Sequence, residues 1–452
     1  PEAEIAVVFE PSPRVLVVGL GSSGLAAARL AASAGSEVWV TDLRGEADLA
    51  TELAELGGNV GTFLGGHPES CLDGVALVIV SPGVPADAPL VAAGRDRGIE
   101  VCTEIEFAWR HRPQAGLVAV TGSNGKSTVT ELTARMLVEA GQSAVAGGNL
   151  GPPASQLVLD GGWDSWVLEI SSFQAELLTE MTPRVAVFLN LSQDHLERHP
   201  DLGSYFAAKQ RLFAFQSEAD VAVLNADDPM VAATRTAARR RSFSISGQAD
   251  ACLDGDELVL DGESIMKKSE VRLSGIHNLA NALAAALAAA ALGSPLPAMA
   301  AALNTFDGLE HRHRTVHSAD GVRWIDDSKA TNVGATLAAL RGYPDRSLHL
   351  ILGGQAKGQD FSVLADEVRR AVSRLYLIGE DGPAIAETLS GAAPAESCGT
   401  LARAVQEARR HAVAGECVLL APACASFDQF SGYGERGDCF TGLARQEVAS
   451  CP

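Results

Sequence analysis

Basic side chains are scarce in this chain: 452 residues carry 35 Lys and Arg against 56 Asp and Glu, a formal charge of −21. Nucleic acids and anionic bilayers require cationic faces, so neither is an expected partner, whereas an anionic small molecule stays open wherever basic residues and amides collect locally. Paired cysteines are missing too. Cys71, Cys102, Cys252, Cys398, Cys417, Cys424, Cys439 and Cys451 form no C-x-x-C motif and no disulfide-scaffold spacing, which predicts reduced thiols in a cytoplasmic protein. Long apolar runs are also absent: Ala282 to Leu292 is the most apolar stretch, alanine-rich and too short to cross a bilayer, so no membrane insertion is expected. The chain opens at Pro1 rather than Met with no signal-peptide pattern, and a trimmed start is left open. No solenoid-period repeat and no low-complexity linker interrupts it.

What is present is a series of strand-turn-helix units. The length exceeds one ordinary core, and the apolar fraction of 47% is ample for burial. "RVLVVGLGSSGLAAARLAASAGSEVWVTD" reads as strand, turn, helix and strand, with G-x-G-x-x-G at Gly19, Gly21 and Gly24 and Asp42 closing the second strand. This is a nucleotide-binding βαβ signature whose default ligand is NAD. An apolar strand at Val75 to Val80 opens into "SPG", Ser81, Pro82 and Gly83, at the ligand-binding edge of a parallel sheet. A second α/β unit starts near Leu117, and a third set of strands begins with "RWIDDSKATN". Three α/β domains are predicted, with boundaries near 104 and 308: a Rossmann-like domain at 1–104, a central P-loop ATPase-like parallel-sheet domain at 105–308, and a second Rossmann-like domain at 309–452.

The most chemically pointed stretch is "LVAVTGSNGKSTVTELTARML", Leu117 to Leu137. An apolar β-branched run precedes "TGSNGKST" and an amphipathic helix follows it, so Gly122, Ser123, Asn124 and Gly125 form the turn between them. Glycine lets successive amides point inward, the helix N-terminus adds its positive end, Lys126 supplies a cation, and Ser127 or Thr128 can offer a hydroxyl to Mg²⁺. The standard phosphate loop has four residues between its glycines; only Ser123 and Asn124 separate Gly122 from Gly125, so this loop is a shortened variant. Glu169 closes the strand in "VLEISSFQ" and His195 closes the one in "NLSQDH", both at the edge that carries the loop. A carboxylate and an imidazole can converge there on a metal ion, although a strand-end Glu can also be a helix cap. His195 and His199 stand at zinc-pair spacing, but Leu196 breaks the H-E-x-x-H order, and zinc is not expected. Three polar loops follow strands in the third region: "DDSKATN" (326–332), "GGQAKGQDF" (353–361) and "APACASFDQFSGYGERG" (421–437). Singly each reads as a solvated loop; together they read as a binding face.

Assembled, these segments resemble the Mur ligase family, essentially from end to end. "VTGSNGKST", "GGNLG", "LEISSFQ", "DHLERH", "YFAAKQRLF", "HNLANALAA", "EHRHR", "DDSKATN", "LILGGQAKGQDF" and "LLAPACASFDQF" carry the resemblance, and the last four point to its D-glutamate-adding branch. The resemblance implies an ATP-dependent amide ligase with UDP-N-acetylmuramoyl-L-alanine, D-glutamate and ATP as substrates. The muramoyl substrate's carboxylate would take the γ-phosphoryl group of ATP to give an acyl phosphate, and the amine of D-glutamate would displace phosphate through a tetrahedral intermediate. Lys126 and the loop would hold the β- and γ-phosphates, with Ser127 near one Mg²⁺. Glu169, His195 and Lys209, the last as a CO₂-derived carbamate, match metal ligands, and two Mg²⁺ ions are expected. Read from sequence alone, Lys209 is a helix-surface lysine.

By the same resemblance Asn278, Asn281, Arg312 and Asp327 match ATP contacts, and Asn149 and His195 lie near the reacting carboxylate. His311, Thr331, Lys357, Ser426, Phe427 and Tyr433 match positions around D-glutamate. Gly19, Ser22, Ser23, Asp42, Arg44, Ser81, Pro82 and Gly83 fall where the UDP group is held, which replaces NAD as the ligand of the first turn. A monomer is expected. Inside the class the alternatives are another Mur enzyme or a folate polyglutamylating enzyme. Outside it they are an NAD oxidoreductase and a non-catalytic nucleotide-binding regulator.

Overall fold

In the computed structural model, which describes residues 14–57, 60–111, 116–194, 198–273 and 275–448, the β-branched runs form strands and three sheets build the chain. The first holds β1 (Arg14–Val18), β2 (Glu37–Asp42), β3 (Gly61–Leu64), β4 (Leu77–Val80) and β5 (Glu100–Thr103), in the order β3-β2-β1-β4-β5 and parallel throughout. Strand order reverses across β1, so the crevice at its carboxyl end faces the N-terminus of helix Ser22–Ser33. Gly24 lets that helix press against the turn: a Cβ there would lie 1.9 Å from the Gly19 carbonyl oxygen.

The second sheet holds β6 (Gly116–Thr121), β7 (Ala144–Gly148), β8 (Ser165–Glu169), β9 (Val185–Phe188), β10 (Val221–Asn225), β11 (Arg239–Ser244), β12 (Ala251–Asp254), β13 (Glu257–Leu260) and β14 (Glu263–Lys267), in the order β14-β13-β12-β11-β10-β9-β6-β8-β7. Strands β6 to β12 run parallel, while β13 and β14 turn back as antiparallel hairpins at one edge. The expectation of alternating parallel units missed that edge. Its signals are two Asp-Gly turns, with Gly255, Asp261 and Gly262 at positive φ, the dipeptide that tight hairpins favour. The third sheet, β15 (Arg314–Ala319), β16 (Val322–Asp326), β17 (Leu348–Gly353), β18 (Val372–Ile378), β19 (Ala395–Gly399) and β20 (Cys417–Leu420), runs β15-β16-β20-β17-β18-β19 with only β15 antiparallel.

The sheets are joined unequally. Ala27, Ala28 and Ala31 of the first helix, and Ile105 and Phe107 of helix Glu104–His111, share one apolar core with Ala154, Leu157, Leu178 and Met181 of the second sheet's helices and loops. Two buried carboxylates reinforce this joint. Glu104 Oε1 accepts from the Ser155 amide at 2.5 Å, capping helix Ala154–Asp160, while its Oε2 finds no partner. Glu106 is fully buried and accepts from the amides of Thr179, Glu180 and Met181 and from the Thr179 hydroxyl. By contrast, the third sheet meets the second through polar contacts: Arg312 Nη2 donates to Ser127 Oγ at 2.7 Å, and Asn332 Nδ2 donates to Asp194 Oδ2 at 2.9 Å.

Glu104 yields a pH prediction. Burial pushes its pKa up to about 7, despite the opposing hydrogen bonds from Ser155. A raised carboxyl pKa means that the folded chain keeps a proton the unfolded chain has lost, so Glu104 lowers stability as pH climbs from about 4.5 towards 7. Glu104→Gln is expected to be more stable than the parent by about 3 kcal/mol near pH 8, with the gain gone near pH 4.5. Urea unfolding at the two pH values checks this, and an equal gain at both would refute the titration.

Of the cysteines, six are free and buried, at 71, 102, 252, 398, 417 and 424. Cys439 is disulfide-bonded, which corrects the all-reduced expectation for that residue; Cys451 lies outside the described residues. Cys439 sits on the last helix, Tyr433–Arg445. Among the described residues no helix is long and apolar enough to cross a membrane.

Candidate active site

Strand β6 exits into the glycine turn and then into helix Lys126–Glu139. Gly122 and Gly125 take φ of +152° and +84°, and a Cβ on Gly125 would lie 2.4 Å from Asn281 Oδ1 on helix Ile276–Ala291. The turn is pinned to the exit of β9: the amides of Ser123 and Asn124 donate to the carbonyl and side-chain oxygens of Asn190 at 2.9 and 2.8 Å. Two lysines crowd its inner side. Lys126 Nζ donates to the carbonyls of Gly122 (3.0 Å) and Ser123 (2.8 Å), and Lys209 Nζ donates to the same Gly122 carbonyl at 2.8 Å. The surface reading of Lys209 is therefore overturned, because helix Leu202–Gln210 turns it inward and leaves it 1% exposed. Burial first, and then repulsion from Lys126, holds the Lys209 pKa well below that of an ordinary lysine, with Asp194 and Glu169 opposing.

Opposite the lysines stands Glu169, at the end of β8 and 3% exposed. Its Oε1 accepts from Asn149 Nδ2 at 2.7 Å, and Ser127 Oγ donates to its Oε2. Burial alone would raise this carboxyl's pKa; Lys126, the hydrogen bonds from Ser127 and Asn149, and Arg312 outweigh it and hold the group below the usual range. Of the two candidate hydroxyls, Ser127 faces Glu169 whereas Thr128 lines a neighbouring cavity. Carboxylate, hydroxyl and amide oxygens beside a phosphate-type turn make a hard donor set that suits Mg²⁺. His195, which the sequence reading expected to close a strand, lies outside the described residues. Strand β9 ends at Phe188, after which the chain buttresses the glycine turn through Asn190 and Ser192.

Three cavities meet around this cluster. The central one, about 250 Å³, is lined by Ser123 to Ser127, Asn149, Glu169, Lys209, Arg312, Thr331 and Lys357. A second, about 420 Å³, shares Asn124, Gly125 and Arg312 with it and adds Thr128, Asn278, Asn281 and Asp327. A third, about 540 Å³, shares Asn149 with the central cavity and runs over the first sheet past Gly19, Ser22, Ser23, Asp42, Arg44, Ser81, Pro82 and Gly83. The central cavity, which holds Glu169 and the two lysines, thus shares lining residues with each of the other two.

Within the third sheet's contribution, His311 Nδ1 pairs with Asp326 Oδ2 at 2.7 Å, and that hydrogen bond raises the imidazole's pKa against burial. Gly437 makes room for it: a Cβ there would lie 2.1 Å from His311 Nδ1. Thr331 and Lys357 reach the central cavity, whereas His311, Ser426, Phe427 and Tyr433 do not line it. Ser426 is buried, and exposed Phe427 has its ring 6.0 Å from Lys357 Nζ.

Residues 13–103 match the Mur ligase MurD-like N-terminal domain, 120–289 the Mur ligase middle domain, and 311–424 the Mur ligase glutamate ligase domain. The UDP-N-acetylmuramoylalanine–D-glutamate ligase of Anaeromyxobacter dehalogenans is 44% identical over 96% of this chain and 98% of its own length. The chain belongs to the Mur ligase family. A relative of the same description from Myxococcus xanthus is 40% identical over 95% of this chain and 97% of its own. Among solved structures, the Thermotoga maritima MurF ligase in complex with ADP (TM-score 0.63, 16% identity, 97% and 100% covered) shares the fold. So does MurC from the same organism (TM-score 0.60, 18% identity, 96% and 100% covered).

As a Mur ligase the chain uses ATP, and its site contains groups that the sequence did not single out. Lys329 lines both the central and second cavities, with its Nζ 4.0 Å from the centre of the Tyr433 ring. Burial and then Arg312 lower its pKa to about 8, with Lys126 adding to the effect and Glu169 and Asp194 opposing it. Tyr205 and Asp194 line the central cavity, and His277 and His313 the second, their rings 5.2 Å apart edge to face. Each lies in a segment that carries the resemblance, Lys329 in "DDSKATN", Asp194 in "DHLERH", Tyr205 in "YFAAKQRLF", His277 in "HNLANALAA" and His313 in "EHRHR", and the packing brings their side chains to the cavities.

Proposed function

We propose that this Mur ligase joins D-glutamate to UDP-N-acetylmuramoyl-L-alanine with conversion of ATP to ADP and phosphate. The observation that carries the reading is the central cavity lined by Glu169, Lys126 and Lys209, which shares Asn149 with the cavity over the first sheet and Asn124, Gly125 and Arg312 with the second. The third cavity would hold the UDP end, with pyrophosphate at the N-terminus of helix Ser22–Ser33. Asn149, common to both cavities, would direct the muramoyl carboxylate into the centre. The second cavity would take ATP, its nucleoside beside Asn278, Asn281 and Asp327 and its phosphates running to Lys126 through the glycine turn. Thr331 and Lys357 would approach D-glutamate from the third domain, with His311, Ser426, Phe427 and Tyr433 forming the surround. The domain division at 104 and 308 is kept in this reading.

Chemically, a free carboxylate is a poor electrophile until one oxygen becomes a leaving group, which transfer of the γ-phosphoryl group supplies. Lys126 and Arg312 would neutralise charge growing on the transferred group, and positioning plus electrostatics would provide most of the acceleration. Ser127, Glu169, His195 and a carbamylated Lys209 would hold two Mg²⁺ ions, which when bound screen the phosphates from the carboxylate. Lys209 suits carbamylation because CO₂ reacts with a neutral amine, and its buried nitrogen beside Lys126 disfavours the ammonium form. ATP and a nucleotide sugar as substrates place the reaction in the cytoplasm, and a monomer suffices because one chain supplies all three cavities.

The test is phosphate release from ATP and Mg²⁺ with UDP-N-acetylmuramoyl-L-alanine, comparing D-glutamate with L-glutamate, L-alanine and L-lysine, with and without bicarbonate. Release is expected with D-glutamate alone and stimulated by bicarbonate. Turnover with another of these amino acids would overturn the substrate assignment, and indifference to bicarbonate in CO₂-depleted buffer would overturn the carbamate.

A further inference from the structure

We propose that His67 reads the uracil base of the muramoyl substrate: its Nε2 accepts the imide N3–H while Leu43 covers the ring. This rests on the uridine diphosphate reading of the third cavity. With pyrophosphate at Ser22, the nucleoside runs outward along the carboxyl edge of the sheet, over β2 towards β3. Asp42, Leu43 and Arg44 stand beyond β2, and Gly65, Gly66 and His67 beyond β3; all but the two glycines line the cavity. Two backbone bonds clamp these loops together, from Gly65 N to Arg44 O (2.9 Å) and from Gly66 N to Asp42 O (3.2 Å).

The obvious reader, Asp42, is already saturated. Its Oδ2 accepts from the Leu20 amide (2.7 Å) and Arg44 Nη2 (2.9 Å), and its Oδ1 from the Arg44 amide (2.9 Å) and Nε (3.1 Å). Four donors fill the four acceptor positions of a carboxylate, so none is left for a base or a ribose. These bonds and the Arg44 charge prevail over partial burial and hold the Asp42 pKa down to about 2. Arg44 is in turn folded back upon it.

His67 has what Asp42 lacks. Its Nδ1 lies 2.8 Å from Thr41 Oγ1, and the Thr41 hydroxyl gives its one hydrogen to the Gly66 carbonyl at 3.1 Å. With that hydrogen on the Gly66 carbonyl, Nδ1 is the donor in the pair and Nε2 carries a lone pair; among the described residues Nε2 makes no hydrogen bond. Partial burial lowers the ring's pKa against the pull of Asp42, so the neutral form is present at neutral pH. Leu43 beside it is 71% exposed, an apolar side chain with no apolar cover at the mouth of the cavity. Uracil presents a hydrogen on N3 where cytosine presents a lone pair. The acceptor that receives one therefore repels the other.

The experiment measures inhibition by UDP and by CDP, competitive against UDP-N-acetylmuramoyl-L-alanine at saturating ATP, in the wild type, His67→Ala and His67→Gln. The wild type is expected to prefer UDP. His67→Ala should weaken UDP about tenfold, leave CDP no weaker or slightly tighter, and raise KM for the UDP substrate at constant kcat and melting temperature. His67→Gln, whose Oε1 can accept, should recover part of the preference. A wild-type UDP to CDP ratio in His67→Ala overturns the assignment while the uridine reading stands, and the same ratio in a folded His67→Gln does so if the alanine variant does not fold. If neither nucleotide competes in the wild type, the uridine reading fails and the His67 assignment with it.

Discussion

Lys126→Ala is expected to lower turnover at least about a thousandfold, with little change in folding stability. The side chain's recorded bonds are to two carbonyls of its own turn, so its loss leaves no structural partner stranded, apart from those loop oxygens. Stability should even benefit slightly, because burial and Arg312 already lower this ammonium's pKa against the attraction of Glu169 and Asp194, and Lys209 is crowded onto the same carbonyl. On the proposed reading, what disappears is the cation that meets the charge developing on the transferred phosphoryl group. Lys126→Arg is not expected to restore it, since a planar guanidinium needs room that a nitrogen wedged against Gly122 and Ser123 lacks. Steady-state phosphate release and thermal melting of both variants check this, and turnover within tenfold of the parent would refute the role given to Lys126.

The second large effect concerns stability. Glu106→Ala should cost about 3 to 5 kcal/mol, because three consecutive amides at Thr179, Glu180 and Met181 lose their shared acceptor in a dry joint. Glu106→Gln should cost less, since one carbonyl oxygen remains for part of the turn. The midpoint and slope of urea unfolding distinguish the cases: a shifted midpoint at constant slope is expected for Glu106→Ala, and an unshifted one would mean that water replaces the carboxylate without penalty. Because the same residue ties the first sheet to the second, KM for the UDP substrate should rise in parallel.

Sequence alone revealed the parts of this protein whose signals are local. The glycine turn, Lys126, Ser127 and Glu169 follow from strand-turn-helix patterning, and the first crevice from Gly19, Gly24 and Asp42. Lys209 shows the limit, because spacing on a helix does not tell inward from outward when the neighbouring elements are unknown; only the resemblance singled it out. Glu104 and Glu106 look like an acidic first helical turn, and nothing nearby announces that Ser155 and Thr179 will bury them. The mutual pairing of Asp42 and Arg44 is likewise a matter of side-chain geometry that spacing along the chain does not announce. His67 escaped notice for the converse reason: its partner, Thr41, lies 26 positions away on a different strand.

The contact between Gly125 and Asn281 has a consequence for how this sequence can drift. Any residue larger than glycine at 125 meets the amide of Asn281 and must also adopt a φ that side chains avoid, so the site faces two independent barriers. Relieving one by shortening Asn281 leaves the other standing. Descendants of this gene are therefore expected to keep the glycine while Asn281 varies, if at all, only towards residues that leave its place in the second cavity filled, and no single nucleotide change opens a route around the pair.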